Sequence, residues 1–146
     1  MAGEGWFVAR RRSFPVGLIV LALAVVVTGC GHSDDRAEAR GVAERFFAAV
    51  ESGDGGAACD QLSLDTRSKL EGDEQRPCRE AIGELRIEPG PLAAIELFLT
   101  NAKADLENGE SAFLSLTADG WRLSAVGCKP REGEPSEEPM DCELEA

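Results

Sequence analysis

The chain beyond residue 30 begins with apolar residues at helical spacing. One apolar stripe is formed by Val42, Ala43, Phe46, Phe47 and Val50. Asp35 followed by Glu38 has the spacing of an N-cap residue and its reciprocal acid at the third helical position. The pattern therefore predicts an amphipathic helix from Asp35 to about Ser52, where a glycine-rich segment ends it.

Shorter helical segments follow that glycine-rich segment. The first is predicted around residues 57–62. Ser63 is a typical N-cap and predicts a further helical turn through Leu70, and Pro77 suits the first position of another helix. Residues 88–91, which contain two prolines and a glycine, then end the helical half of the chain.

Past these prolines the apolar period shortens toward two. Ile95, Leu97 and Leu99 alternate with Glu96 and Phe98, which predicts a strand with the three aliphatic residues on one face and the other two on the opposite face.

Two hairpin signals divide the remaining strands. Asn108-Gly109 and Asp119-Gly120 both tolerate the positive φ angles of tight turns. They predict strands at 103–107, 111–117 and 121–126 in an antiparallel meander. The fold class expected from the whole pattern is α+β, with helices first and a sheet after them.

A polar segment follows the meander. Residues 129–141 contain three prolines and several acids, which predicts a solvated flap and not a packed element. An alternative interpretation is that the acidic residues from Glu132 to Glu145 bind cations or a basic partner. Residues 143–146 are predicted to be a C-terminal tail.

The N-terminal region carries an export pattern. Three arginines, Arg10 to Arg12, precede an apolar run over residues 15–27, which is shorter than the roughly 20 residues of a spanning helix. The run closes with Val27-Thr28-Gly29-Cys30, which resembles the lipobox of a bacterial lipoprotein precursor. The resemblance implies cleavage before Cys30, acylation of its sulfur and attachment of the mature chain to the outer face of the cell membrane.

This resemblance sets the expected domain organisation. Residues 1–29 are expected to be a signal peptide, and residues 30–36 a lipidated tether. Residues 37–142 are expected to form the folded domain, which includes the flap. Two alternatives stay open for the first segment: a signal anchor, and twin-arginine export, since Arg11-Arg12-Ser13-Phe14 resembles the start of such a signal except for Pro15.

Charge excludes one class of partner. The net charge of the whole chain is −12, and it becomes −14 without residues 1–29. Such a surface repels nucleic-acid phosphates and anionic lipid, so no nucleic-acid partner is expected. The remaining 117 residues suffice for one core but are close to the size at which covalent staples help.

Cysteines are the expected staples. With Cys30 assigned to lipid, an even set remains in an oxidising compartment: Cys59, Cys78, Cys128 and Cys142. Four cysteines allow three pairings, and the sequence alone does not decide among them. We predict neighbour pairing, Cys59 with Cys78 and Cys128 with Cys142, which closes two short loops. A metal site is the rival interpretation, but the closely spaced ligand pairs of structural zinc sites are missing, so no metal or cofactor is expected.

The order of elements resembles the NTF2-like (cystatin-like) cone, most closely that of small actinobacterial exported lipoproteins. The residues that carry the resemblance are Phe46-Phe47-Ala48-Ala49, Gly53-Asp54, Cys59, Phe113-Leu114, Asp119-Gly120-Trp121-Arg122-Leu123 and Gly127-Cys128. It spans about residues 37–142 and implies N-terminal helices packed in the concavity of a curved antiparallel sheet. Members of this family include enzymes and binding modules, so the fold alone does not specify a function.

Catalytic candidates are few. Isomerases and cyclases of this fold use a carboxylate base beside a donor such as tyrosine, and this chain contains no tyrosine. Its one histidine, His32, lies next to the predicted tether. Asp60 and Asp105 remain as candidate bases, neither with a partner that the sequence identifies.

The function that these observations favour is a non-catalytic binding or accessory module on the membrane, with an envelope protein or an apolar small ligand as partner. An isomerase or cyclase of the same fold is the alternative. Aromatic and aliphatic residues that could line a pocket are Phe46, Phe47, Val50, Phe113 and Trp121. The same spacings are also typical of residues that fill a core.

Overall fold

The computed structural model describes residues 31–131 and 140–146. Four helices and a short 3₁₀ turn precede five strands. The helices are α1 (Gly31–Ser52), α2 (Gly55–Cys59), α3 (Leu64–Glu74) and α4 (Cys78–Ala81), with the 3₁₀ turn at Ile82–Glu84. The strands are β1 (Leu92–Phe98), β2 (Asn101–Leu106), β3 (Ser111–Thr117), β4 (Gly120–Cys128) and β5 (Leu144–Glu145).

The strands form one antiparallel sheet in the order β1-β2-β3-β4-β5. The predicted hairpins are present: Gly109 and Gly120 have φ angles of 87° and 90°, which glycine adopts at little cost. Register shifts after Leu92 and around Phe113 interrupt the regular pairing, and such bulges bend a strand. The sheet is therefore curved, and the predicted α+β class is confirmed.

The core lies between the helices and one face of this sheet. α1 packs against β4 and β1, because its apolar stripe places Val42, Ala43 and Phe46 on the sheet side, each at most 1% exposed. Trp121 and Leu123 of β4 belong to the same cluster and are fully buried. The stripe read from the sequence is thus the surface by which α1 docks on the sheet.

The starts of two helices differ from the predictions. α1 begins at Gly31, four residues before the predicted cap Asp35, and Asp34 in its first turn suits the positive end of a helix. The predicted tether is accordingly helical from Gly31. Pro77 is the N-cap residue of α4 and not its first helical residue.

Two strand predictions were also wrong. Leu99 does not share a face of β1 with Ile95 and Leu97, since it lies in the β1–β2 turn with φ 56° and is 94% exposed. The predicted C-terminal tail contains β5, in which Leu144 pairs with Val126 and is buried.

Candidate functional site

Two disulfide bridges secure the domain, and they have the predicted neighbour pairing. Cys59–Cys78 joins α2 to α4 across a Cα–Cα distance of 6.1 Å. Cys128–Cys142 joins the end of β4 to the segment before β5, with 3.9 Å between the Cα atoms. Neither bridge uses Cys30, which lies outside the described residues.

The base of the predicted flap is closed by backbone pairing. The amide of Lys129 donates to the carbonyl of Asp141 at 2.7 Å, and the amide of Asp141 donates back to Lys129 at 2.9 Å. Arg131 forms an ion pair with Asp141 at 2.7 Å. Together with the Cys128–Cys142 bridge, these bonds fix both ends of the segment, whose residues 132–139 lie outside the described part.

Two of the predicted pocket residues fill the core. Phe46 and Trp121 are fully buried, and the Phe46 ring meets Phe47 edge-on, with 5.2 Å between centroids. The indole Nε1 of Trp121 has no hydrogen-bond partner among the described residues. These two aromatics therefore contribute packing, which is the alternative that the sequence left open.

Phe47 and Val50 line two adjoining surface hollows at the C-terminal end of α1. The first, of about 580 Å³, is lined by Phe47, Ala48, Glu44 and Leu92, among others. The second, of about 340 Å³, includes Val50, Ile82, Leu85 and Ile87. Both contain Glu51 and Pro89, so we call the pair the Pro89 groove.

The Pro89 groove has an apolar floor and an acidic edge. Pro89 and Pro91 hold the chain extended between the helical half and β1. Glu44 and Glu51 are exposed on α1 beside this floor, and Arg79 is among the residues that line the second hollow. An apolar group that also carries a positive charge matches this lining.

Phe113 lies elsewhere. It lines a hollow of about 340 Å³ with Met140, Cys142 and Ala146, next to the C-terminus. The five predicted lining residues consequently occupy three environments: the core, the Pro89 groove and the C-terminal hollow.

The two candidate bases are not arranged for catalysis. Asp60 is exposed at the C-terminal end of α2. Asp105 accepts hydrogen bonds from Ser111 Oγ at 2.6 Å and Lys103 Nζ at 2.8 Å. Burial alone would raise the pKa of Asp105, but these bonds and the lysine charge outweigh it and lower the pKa below 3.8. A carboxylate with a lowered pKa is a weak base.

A buried carboxylate that the sequence did not reveal is Glu110, which is 1% exposed. It accepts the backbone N–H of Glu88 at 3.2 Å and forms an ion pair with Lys129 Nζ at 3.0 Å. The pKa of Lys129 is raised, chiefly by its hydrogen bond to Glu110 and then by that to Glu88. A glutamate directly after an Asn-Gly turn normally indicates a solvated position, so no sequence signal marked this one.

Over the described ranges 31–131 and 140–146, no helix has both the length and the apolar character needed to cross a membrane. The same residues contain no cluster of three or more histidine, cysteine or acidic side chains placed to hold a metal ion. Comparison of the chain with protein-family models, with curated proteins and with solved structures finds no match.

Proposed function

We propose that this chain is a lipoprotein anchored through Cys30 to the extracytoplasmic face of the cell membrane, and that its NTF2-like domain is a non-catalytic binding or accessory module. Residues 1–29 are its cleaved signal peptide. The partner is an envelope protein segment or an apolar small ligand.

The observation that carries the proposal is how the five cysteines are divided. Four of them are used in two disulfides, which leaves Cys30 as the remaining cysteine of the sequence. Disulfides are typical of chains exported to an oxidising compartment. The leftover thiol stands where the Val27-Thr28-Gly29-Cys30 pattern requires a free sulfur for acylation.

The start of α1 supports a position close to the bilayer. The helix begins at Gly31, one residue after the acylation site. A domain attached in this way is held at the membrane surface, which suits an accessory role beside other envelope components.

The Pro89 groove is the surface that we propose for binding. It offers an apolar floor with Phe47 and Leu92 and a negative edge from Glu44 and Glu51. This combination favours a partner segment that presents an apolar side chain near a lysine or arginine.

The described carboxylates do not favour the isomerase or cyclase alternative. Asp105 is engaged by Ser111 and Lys103, and the buried Glu110 is engaged by Glu88 and Lys129. A general base needs a lone pair directed at a substrate, and the contacts of both carboxylates are with the protein's own donors, which for Asp105 outweigh burial and lower its pKa.

The anchor is tested by expressing the full chain and its Cys30→Ala variant in a host that processes lipoproteins. We expect fatty-acid labelling and membrane fractionation of the wild type. In Cys30→Ala we expect loss of the label and of cleavage, with the precursor either released or trapped. The matched control is the double variant Cys59→Ala/Cys78→Ala, which removes two other thiols and should keep the label. Unchanged labelling of Cys30→Ala would refute the anchor.

The groove is tested by crosslinking in intact cells that express the lipidated chain. Ala48 is exposed and lines the groove, so Ala48→Trp fills it without disturbing the core. Ala37→Trp, at an exposed site of the same helix, is the control. We expect crosslinks between the chain and its partner to be retained in Ala37→Trp and lost in Ala48→Trp. Crosslinks that persist equally in both variants would exclude the groove as the binding surface.

A further inference from the structure

The exposed apolar side chains of the domain gather at one end. Large hydrophobic residues left exposed by the described part are Leu99 (94%), Leu64 (75%), Phe98 (55%) and Leu116 (41%). Phe98 ends β1 and Leu99 and Thr100 form the β1–β2 turn, where the amide of Leu116 donates to the carbonyl of Thr100 at 2.8 Å. Leu64 lines a groove that reaches the β3–β4 turn.

The N-terminus of α1 points toward the same end. Glu38 lies against Gly120 in the β3–β4 turn, since a Cβ atom there would stand 2.6 Å from Glu38 Oε1. Farther along α1, Ala48 and Glu51 face Pro89 and Leu92, where β1 begins. α1 therefore runs from the end with the two turns to the opposite end, and its first residue extends about 10 Å beyond Glu38, at 1.5 Å per residue.

The strand ends around Phe98, Leu99 and Leu116 carry no charge of their own, although Glu38 and Asp119 lie at the same end of the domain, beside the β3–β4 turn. The segments Leu97–Ala102 and Ser111–Ala118 contain no charged residue, in a chain whose net charge is −12. The acidic surface that repels anionic lipid is thus interrupted where Phe98 and Leu99 are exposed. Amphipathic surfaces of this kind bury apolar side chains at the boundary between headgroups and acyl chains.

We infer that the β1–β2 turn, with Phe98, Leu99 and the adjacent Leu116, inserts into the lipid bilayer that anchors the chain. This inference rests on the proposed acylation of Cys30 for its geometry. The acyl chains enter the membrane next to the N-terminus of α1, and the domain tilts on that point until the turn reaches the same surface. Two contacts then fix its orientation, with the Pro89 groove at the opposite end, facing away from the membrane.

The test uses tryptophan as a depth probe in the lipidated mature protein, which begins at Cys30 and therefore lacks Trp6, reconstituted in phosphatidylcholine vesicles with brominated acyl chains. Leu99→Trp places the probe in the turn, and Ala93→Trp places it at an exposed site near the start of β1. The native Trp121 is buried in both variants. We expect the probe at position 99 to lose most of its emission to bromine quenching and the probe at position 93 to keep it. Equal quenching of the two probes would overturn the inference.

The lipid anchor is measured separately in the same samples, by fatty-acid labelling of Cys30 and by flotation of the protein with the vesicles. Flotation without selective quenching at position 99 overturns the turn insertion and leaves the anchor intact. If Cys30 carries no lipid, the proposal of a lipid anchor is wrong. The two tryptophan variants are then titrated with vesicles as unlipidated proteins. A blue shift confined to Leu99→Trp then supports insertion of the turn, and identical spectra overturn it.

A second copy of the chain is the alternative partner that could cover the β1–β2 turn in place of the bilayer. Sedimentation of the Cys30→Ala protein without lipid distinguishes it. A dimer that Leu99→Ser dissociates would assign the turn to a contact between copies and overturn insertion into the bilayer. A monomer in both proteins is the result expected.

Discussion

Gly55 lies so close to Arg79 that a Cβ atom on Gly55 would overlap the backbone carbonyl of Arg79 and press on the side chain of Ile82. The contact brings the start of α2 against α4, and the Cys59–Cys78 bridge joins the same two helices. A glycine at this position is thus required by packing and not by backbone conformation.

Gly55→Ala should destabilise the fold by about 2 kcal/mol, because overpacking against a backbone atom cannot be relieved by a side-chain rotation. Gly72→Ala is the control: Gly72 lies within α3 with open space around it, so alanine should stabilise by up to about 1 kcal/mol. Denaturant unfolding measures both. A loss of similar size in the two variants would mean that the Gly55 contact is not specific.

Removal of the Cys59–Cys78 bridge should cost about 3 kcal/mol on the chain-entropy account, since it closes a loop of intermediate length. The sequence separation of the two cysteines is 19. Cys59→Ala/Cys78→Ala is compared with the wild type by unfolding under non-reducing conditions. A double variant as stable as the wild type would show that this bridge is dispensable for the domain.

The parts of the fold that could be predicted are those marked by a sequence pattern within a few neighbouring residues. The stripe of α1 and the Asn108-Gly109 and Asp119-Gly120 turns were recovered because helical period and turn chemistry lie within a few residues. β5 was missed because the partners of Leu144, which are Val126 in β4 and the helix α3, lie far from it in sequence, beyond the flap. Glu110 was missed because its partners, Glu88 and Lys129, come from two other segments.

The candidate site was predicted less well than the fold. Periodicity identifies which side chains face inward, but it does not distinguish a filled core from a hollow. Phe46 and Phe47 are adjacent on the same stripe, and only the second lines the Pro89 groove. The difference depends on the path of residues 88–91, which no periodic pattern determines.

Leu99→Gly should increase the stability of the fold and at the same time weaken insertion of the β1–β2 turn into the membrane. A leucine at φ 56° is disfavoured, and glycine relieves it for a net gain of about 0.5 to 1 kcal/mol after its own entropy cost. The same change removes the most exposed apolar side chain and should weaken retention of the turn in vesicles. Gln75→Gly, at φ 53°, is the matched control and should gain stability without affecting retention. Loss of stability in Leu99→Gly would contradict this account of the turn.

Asp105 should contribute to acid sensitivity. Its folded pKa is lowered from 3.8, with burial opposed by the bonds from Lys103 and Ser111. Its contribution to folding is therefore complete above the unfolded value and is lost as the pH falls through the lowered one. Asp105→Asn should show a smaller drop in unfolding free energy on acidification than the wild type, and Ser111→Ala an intermediate drop. Parallel acid slopes in all three proteins would exclude this role.

Lys129 is expected to matter more than other surface lysines because its partner is buried. Its ammonium is 3.0 Å from Glu110, whose side chain is 1% exposed, whereas Lys69 pairs with an Asp73 that is 59% exposed. When the cation is removed, the buried carboxylate keeps its negative charge but loses a partner, which destabilises the fold. An exposed ion pair contributes little to stability.

Lys129→Met should therefore destabilise the domain clearly more than Lys69→Met, which is expected to be near neutral. Glu110→Gln retains an acceptor oxygen for the N–H of Glu88 and removes the charge. In the double variant Lys129→Met/Glu110→Gln the loss should be smaller than the sum of the single losses, because the second change removes the charge that the first one left unpaired. Unfolding free energies of the four proteins measure this coupling. Strict additivity would mean that the ion pair does not hold residues 88 and 129 together across the base of the flap.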